Sequence, residues 1–100
     1  MNSANFSTAA TIDLRRIWSE IAKDSEINAD RMVDRLIDVC RLLAGNPHLG
    51  AVWSERHLPI RCFPVPGNKY VVFFTPKSDG VEIIRIIHGR RNLERIMPLM

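Results

Sequence analysis

The sequence predicts an α+β fold in which a helical hairpin lies on one face of an antiparallel sheet. Three observations carry this. Two stretches in the first half repeat apolar residues at helical spacing, joined by a short polar link. The second half holds short apolar runs of strand character, separated by two turn signals. No internal repeat or linker interrupts them, so residues 1–100 read as a single domain in the order β-α-α-β-β-β, closed by a short C-terminal helical tail.

The elements follow in order. Asn5-Phe6 belongs to a short first strand. Ser7 or Thr8 caps the helix after it, in which Ala10, Leu14, Ile17, Trp18 and Ile21 form one apolar stripe. That pattern ends near Asp24-Ser25. Asn28 is the expected cap of a second helix that buries Ala29, Met32, Val33, Leu36, Ile37, Cys40 and Leu43. Asp30 and Asp34 near its start and Arg41 near its end suit the helix dipole, and Gly45 with Pro47 ends it. Residues 46–59 read as a loop that Trp53 anchors to the core. Ile60 to Val65 is a strand whose Pro64 marks an edge or a strand end. After the turn at Pro66-Gly67-Asn68, Tyr70 to Thr75 is apolar on both faces and therefore central. Lys77-Ser78-Asp79-Gly80 is a hairpin turn into a last strand, Val81 to His88. Arg90 to Met97 supplies the final helical turn or two.

Composition narrows the function classes. Cys40 and Cys62 both lie in apolar runs and read as reduced core thiols. No Cys-x-x-Cys or paired His–Cys spacing suggests a metal site, and no glycine-rich phosphate loop or dinucleotide fingerprint suggests a cofactor. Neither a signal-like leader nor a membrane span is present, so the expected location is the cytoplasm. The net charge of +3 is uneven: residues 1–50 carry −1 and residues 51–100 carry +4. A basic C-terminal half suits an acidic partner surface.

The candidate chemistry lies in that half. His88 ends a buried strand beside a glycine and two arginines. It reads either as a proton carrier for RNA cleavage or as a histidine that ends the strand with a hydrogen bond. By strand alternation Arg61 shares a face with Phe63 and Val65, and Arg85 with Ile83 and Ile87. A charge among apolar neighbours needs a partner, so each is an ion-pair member or a functional charge in a groove. Asp13 is the candidate partner for Arg85. Arg90, Arg91 and Arg95 form a basic tail, while His48 and His57 stand alone in the loop.

Four pieces in this order carry a resemblance over about residues 6–97. They are Asp13-Leu14 with Ile17-Trp18 and Ile21-Ala22; Leu42-Leu43-Ala44 through Asn46-Pro47-His48-Leu49-Gly50; Arg61 and Phe63-Pro64-Val65 with Tyr70-Val71-Val72-Phe73-Phe74; and Asp79 through Gly89 with Arg91. Together the pattern resembles the ParE branch of the RelE/ParE toxins of bacterial toxin–antitoxin pairs. The resemblance implies a toxin that inhibits DNA gyrase and is held by a cognate ParD-like antitoxin in a hetero-oligomer, with no cofactor. The antitoxin segment is expected to be charged and partly disordered, to fold over the helical hairpin and the sheet edge, and to set acidic groups against Arg61, Arg85 and Arg91. His88, Arg90 and Arg95 complete the expected antitoxin- or target-binding set.

The alternative within the same superfamily is a ribosome-dependent mRNA endonuclease of the RelE kind, with His88, Arg61 and Arg85 at the scissile phosphate. The sequence departs from the family pattern at Thr75, where an arginine is common, and at Phe74, where tyrosine is common. It also departs at Glu20 and Asn92. Loss of a cation and a hydroxyl near the candidate site disfavours phosphoryl transfer. A third reading, a toxin fold that now acts only as a binding partner or repressor subunit, rests on the same two departures.

Overall fold

Ser7 sets the start of the helical layer. Its hydroxyl oxygen accepts the Ala10 amide at 3.0 Å, and its own hydroxyl donates to the Ile84 carbonyl at 2.8 Å. The first helix is thereby capped and pinned to the sheet in one step. In the computed structural model, which describes residues 2–54 and 59–89, the order is β1 (Ser3–Phe6), α1 (Thr8–Ala22), α2 (Glu26–Gly45), β2 (Ala51–Ser54), β3 (Ile60–Pro64), β4 (Tyr70–Lys77) and β5 (Gly80–His88). The strands form a single sheet in the order β1-β5-β4-β3-β2.

The expected α+β class and hairpin-on-sheet layering hold, with three differences of detail. The sheet is mixed, because β1 runs parallel to β5 while β2, β3, β4 and β5 pair antiparallel. The segment read as loop contains a fifth strand, β2, which pairs Ala51 with Cys62 and Val52 with Arg61. The second helix begins one turn early: Ser25, not Asn28, is its cap, with the Ser25 hydroxyl accepting the Asn28 amide at 3.2 Å. Both residues are capping types. The earlier cap leaves only Lys23 to Ser25 between the helices, a link short enough to force them antiparallel. Trp18 on α1 then donates its indole N–H to Asp30 on α2 at 2.8 Å.

The helices cover one sheet face. Ala10, Ile17, Leu36, Val39, Cys40 and Leu43 meet Val72, Phe74, Val81, Ile83 and Ile86 in the main core. Phe73 and Ile87 form a second cluster with Trp53, Ile60, Cys62 and Val71. Trp53, expected to anchor its segment, meets Phe73 edge-on with ring centroids 5.2 Å apart. β4 contributes to both clusters and sits third of five strands, the central position its two apolar faces predict. β3 ends at Pro64, where its missing N–H disturbs no further pairing.

One irregularity matters for the site. The β4–β5 register shifts between Phe73 and Phe74, so that Phe73 faces Arg85 while Phe74 faces Ile83. Ile84 is the extra residue of a bulge. Ile83 and Ile86, three apart, consequently join the same core cluster, and Ile87 joins the other. The expectation that Arg85 shares one face with both Ile83 and Ile87 fails for this reason.

Candidate functional site

The bulge aims Arg85 at α1. Its Nε donates to Asp13 Oδ2 at 2.7 Å and its Nη2 donates to Asp13 Oδ1 at 2.9 Å. The Ile86 amide adds a third bond to Asp13 Oδ2 at 3.0 Å. Asp13 is 4% exposed, so these three donors replace its water. Its hydrogen bond to Asp13 strengthens the Arg85 guanidinium's hold on its proton, an effect that desolvation opposes. The predicted Asp13–Arg85 partnership therefore exists, and it fastens α1 to β5.

Arg61 is also committed. As alternation predicts, it lies with Phe63 on the helix side, opposite Phe74. Its Nη2 donates to the His48 carbonyl at 3.2 Å and to the Gly50 carbonyl. Gly50 fits there because a Cβ would come within 2.8 Å of both the Cys62 carbonyl oxygen and the Phe74 ring. Arg61 thus ties the α2–β2 connection down over β3 and β4. Thr75, where the family pattern has arginine, is buried and donates its hydroxyl to the Pro59 carbonyl at 2.7 Å. Phe74 is fully buried in the main core.

His88 lies at the far end of β5, paired with Tyr70, and their rings meet edge-on with centroids 5.9 Å apart. Arg61 is opposite Phe74 on the intervening strand, four residues away from Tyr70. At about 3.3 Å per residue and about 4.8 Å per strand, the backbones of Arg61 and His88 are roughly 16 Å apart. The structure does not gather Arg61, Arg85 and His88 around one point. Arg90, Arg91 and Arg95 lie outside the described residues, as does His57.

Neither thiol is activated. Burial pushes the Cys40 thiol up to about 12, and burial also raises Cys62, an effect that neighbouring Arg61 opposes. Among the described residues no three His, Cys, Asp or Glu side chains cluster to hold a metal ion, and no helix is long and apolar enough to cross a membrane.

Among the described residues, two clefts border α2. One, of about 340 Å³, lies between α2 and the β3–β4 turn, where Arg35 donates to the Pro66 carbonyl at 3.2 Å. The other, of about 450 Å³, runs between β1 and α2. Ala4, Phe6, Ile37 and Ala44 make its apolar wall, and Arg41 stands in its lining. It adjoins a sheet edge, since β1 is the terminal strand. Sequence reading missed this cleft, because its walls come from segments more than thirty residues apart. The only signal was a strand-like Phe6 beside polar neighbours.

Comparison with known proteins agrees with the fold. A family model described as the ParE toxin of type II toxin–antitoxin system, parDE, matches residues 4–93. Among solved structures, the chain is similar to one from the chromosomal ParDE TA system of P. aeruginosa, with a TM-score of 0.72 and 21% identity over 88% of this chain and 96% of that one. No curated protein matches the sequence.

Proposed function

The chain belongs to the family of ParE toxins of type II toxin–antitoxin systems, and from that premise we propose that it inhibits DNA gyrase and is neutralised by a cognate ParD-like antitoxin. The observation that carries this reading is the family match across residues 4–93, which takes in all but the first residue of the described elements from β1 to β5. The chemistry of the fold is consistent with a toxin that works by binding. Arg85 is held by Asp13 and Arg61 by two backbone carbonyls. Within the described residues they serve the scaffold, and His88 stands apart from them. Phosphoryl transfer needs a proton carrier and charge stabilisation converging on one phosphate.

Beyond Arg61 and Arg85, the antitoxin's acidic groups then have other cations to meet. In the described residues Arg31, Arg35 and Arg41 are exposed along α2. The apolar cleft beside β1 is the natural seat for the antitoxin's hydrophobic anchors. Purified toxin added to gyrase and plasmid should reduce supercoiling or accumulate cleaved DNA, and prior addition of antitoxin should abolish the effect. Unchanged gyrase activity, with messenger RNA cleaved at ribosomes on expression, would replace this reading with the endonuclease one.

A further inference from the structure

The pairing of β3 determines what the outer edge of β2 presents. Along an antiparallel pair, opposed residues alternately exchange both backbone bonds or turn those groups outward. The Val65 amide donates to the Tyr70 carbonyl at 2.9 Å, so Val65, Phe63 and Arg61 turn their backbone groups toward β4. Cys62 and Pro64 turn theirs toward β2. Cys62 therefore exchanges bonds with Ala51, whereas Val52, opposite Arg61, points its N–H and C=O to the open side. The strand is terminal, at the other end of the sheet from β1. Its surroundings are apolar. Val52 is 53% exposed, and Leu49 and Leu42 are exposed to a similar degree. Hydrogen bonds gather the three. Asn46 donates its side-chain amide to the Leu42 carbonyl at 3.0 Å and accepts the Leu49 amide at 3.1 Å. Arg61, beside Val52, donates to the carbonyls of His48 and Gly50, on either side of Leu49.

We propose that this edge joins two copies of the chain, with β2 pairing antiparallel to β2 of the second copy about a two-fold axis at Val52. The two Val52 residues exchange both backbone bonds, and their side chains lie next to each other on one face of a sheet that continues through both copies. A strand paired with itself in this way is self-complementary and closes as a dimer. The charge pattern selects a second copy as the occupant. Edges that stay single are blunted by charged side chains or proline, and Ala51 to Ser54 has neither. The whole stretch Leu42 to Ser54 contains no Asp, Glu, Lys or Arg. Such a stretch offers a charged partner nothing to select, yet it lets two chains of net charge +3 meet without like charges in contact. The cation facing Val52 is Arg61, one strand further in. Across the axis its two copies are three strand spacings apart, about 14 Å, beyond the screening length of about 8 Å in physiological salt. The inference stands whether or not gyrase is the target.

Sedimentation equilibrium of the purified full chain tests this, read up to about 100 µM because a short edge gives a small interface. The wild type should reach a dimer. Val52→Glu sets two carboxylates against each other across the axis and should weaken the dimer about tenfold or more. Val52→Pro removes only an outward N–H, which an edge strand tolerates, and should weaken it by a similar factor. Ile27→Glu, at an exposed apolar residue on α2, should leave association unchanged. A positive readout comes from Val52→Cys in a Cys62→Ser background. Residues that exchange both bonds lie about 5.5 Å apart at Cα, within disulfide range, so mild oxidation should yield a covalent dimer. A wild type monomeric throughout this range would overturn the inference. So would a dimer that both Val52 variants leave within twofold of wild type, or a Val52→Cys chain that stays monomeric on oxidation. A monomeric wild type whose antitoxin binding falls on Val52→Glu would assign the edge to the antitoxin and equally overturn it.

Discussion

Replacing Asp13 by alanine should destabilise the fold by about 3 kcal/mol. The magnitude follows from what the carboxylate holds. Asp13 accepts two bonds from Arg85 and one from the Ile86 amide. Ile86 is 1% exposed, so its stranded N–H alone costs about 1–3 kcal/mol. Breaking a fully buried ion pair from one side costs about 3–5 kcal/mol. The Arg85 side chain is 27% exposed and recovers part of its hydration, which places the total near the lower bound. Asp13→Asn should cost less, about 2 kcal/mol, because the amide oxygen still accepts from Ile86 while the charge is lost. Arg85→Met leaves a buried carboxylate with one donor and should cost a similar amount. The double variant should then be at least about 1 kcal/mol better than the sum of the two single losses. Urea titration of the purified protein measures all four variants. For a chain of this size, 3 kcal/mol lowers Tm by roughly 12 °C or more. A loss below 1 kcal/mol for Asp13→Ala, or strict additivity in the cycle, would refute the view that this pair fastens α1 to β5.

Other perturbations read the same scaffold. Ser7→Ala removes both the cap of α1 and the bond to the Ile84 carbonyl, and should cost about 1–2 kcal/mol in urea titration. Gly80 has φ +142°, and a Cβ there would lie 1.9 Å from the Ser3 carbonyl oxygen. Gly80→Ala should therefore displace β1, destabilise by about 3 kcal/mol and speed hydrogen exchange at Ser3. The Cys40 thiol, raised by burial from 9.0 to about 12, has a definite pH signature. Below pH 9 both folded and unfolded chains keep the proton, so it adds no slope. Between pH 9 and 12 only the unfolded chain releases it, so stability falls by up to about 1.4 kcal/mol per pH unit. Cys40→Ala should remove that component of the alkaline slope.

How much of this was legible depended on whether the signal was local. The stripes Ala10 to Ile21 and Ala29 to Leu43 announced both helices, and the doubly apolar Tyr70 to Thr75 announced the central strand. A charge within an apolar run, Arg85, demanded a partner, and Asp13 was identifiable because it sits on the first helix. β2 was not legible: Ala51 to Ser54 is short, half exposed, and pairs with Cys62, Arg61 and Ile60 across a register shift. The bulge at Ile84 was invisible because Ile83 through Ile87 satisfies either face. The parallel pairing of β1 with β5 joins residues nearly eighty positions apart, and the cleft beside it exists only once that pairing forms. His88 and Arg61 looked like neighbours in a basic half, but strand register separates them.

The proposed action of this ParE-family chain on gyrase can be measured with purified components. Purified toxin is titrated into gyrase, ATP and plasmid, with and without the antitoxin encoded beside it, and supercoiling and enzyme-linked DNA breaks are scored. A gyrase-directed toxin should give dose-dependent loss of supercoiling or accumulation of breaks, reversed by antitoxin. Unchanged supercoiling and no breaks at saturating, folded toxin would contradict it.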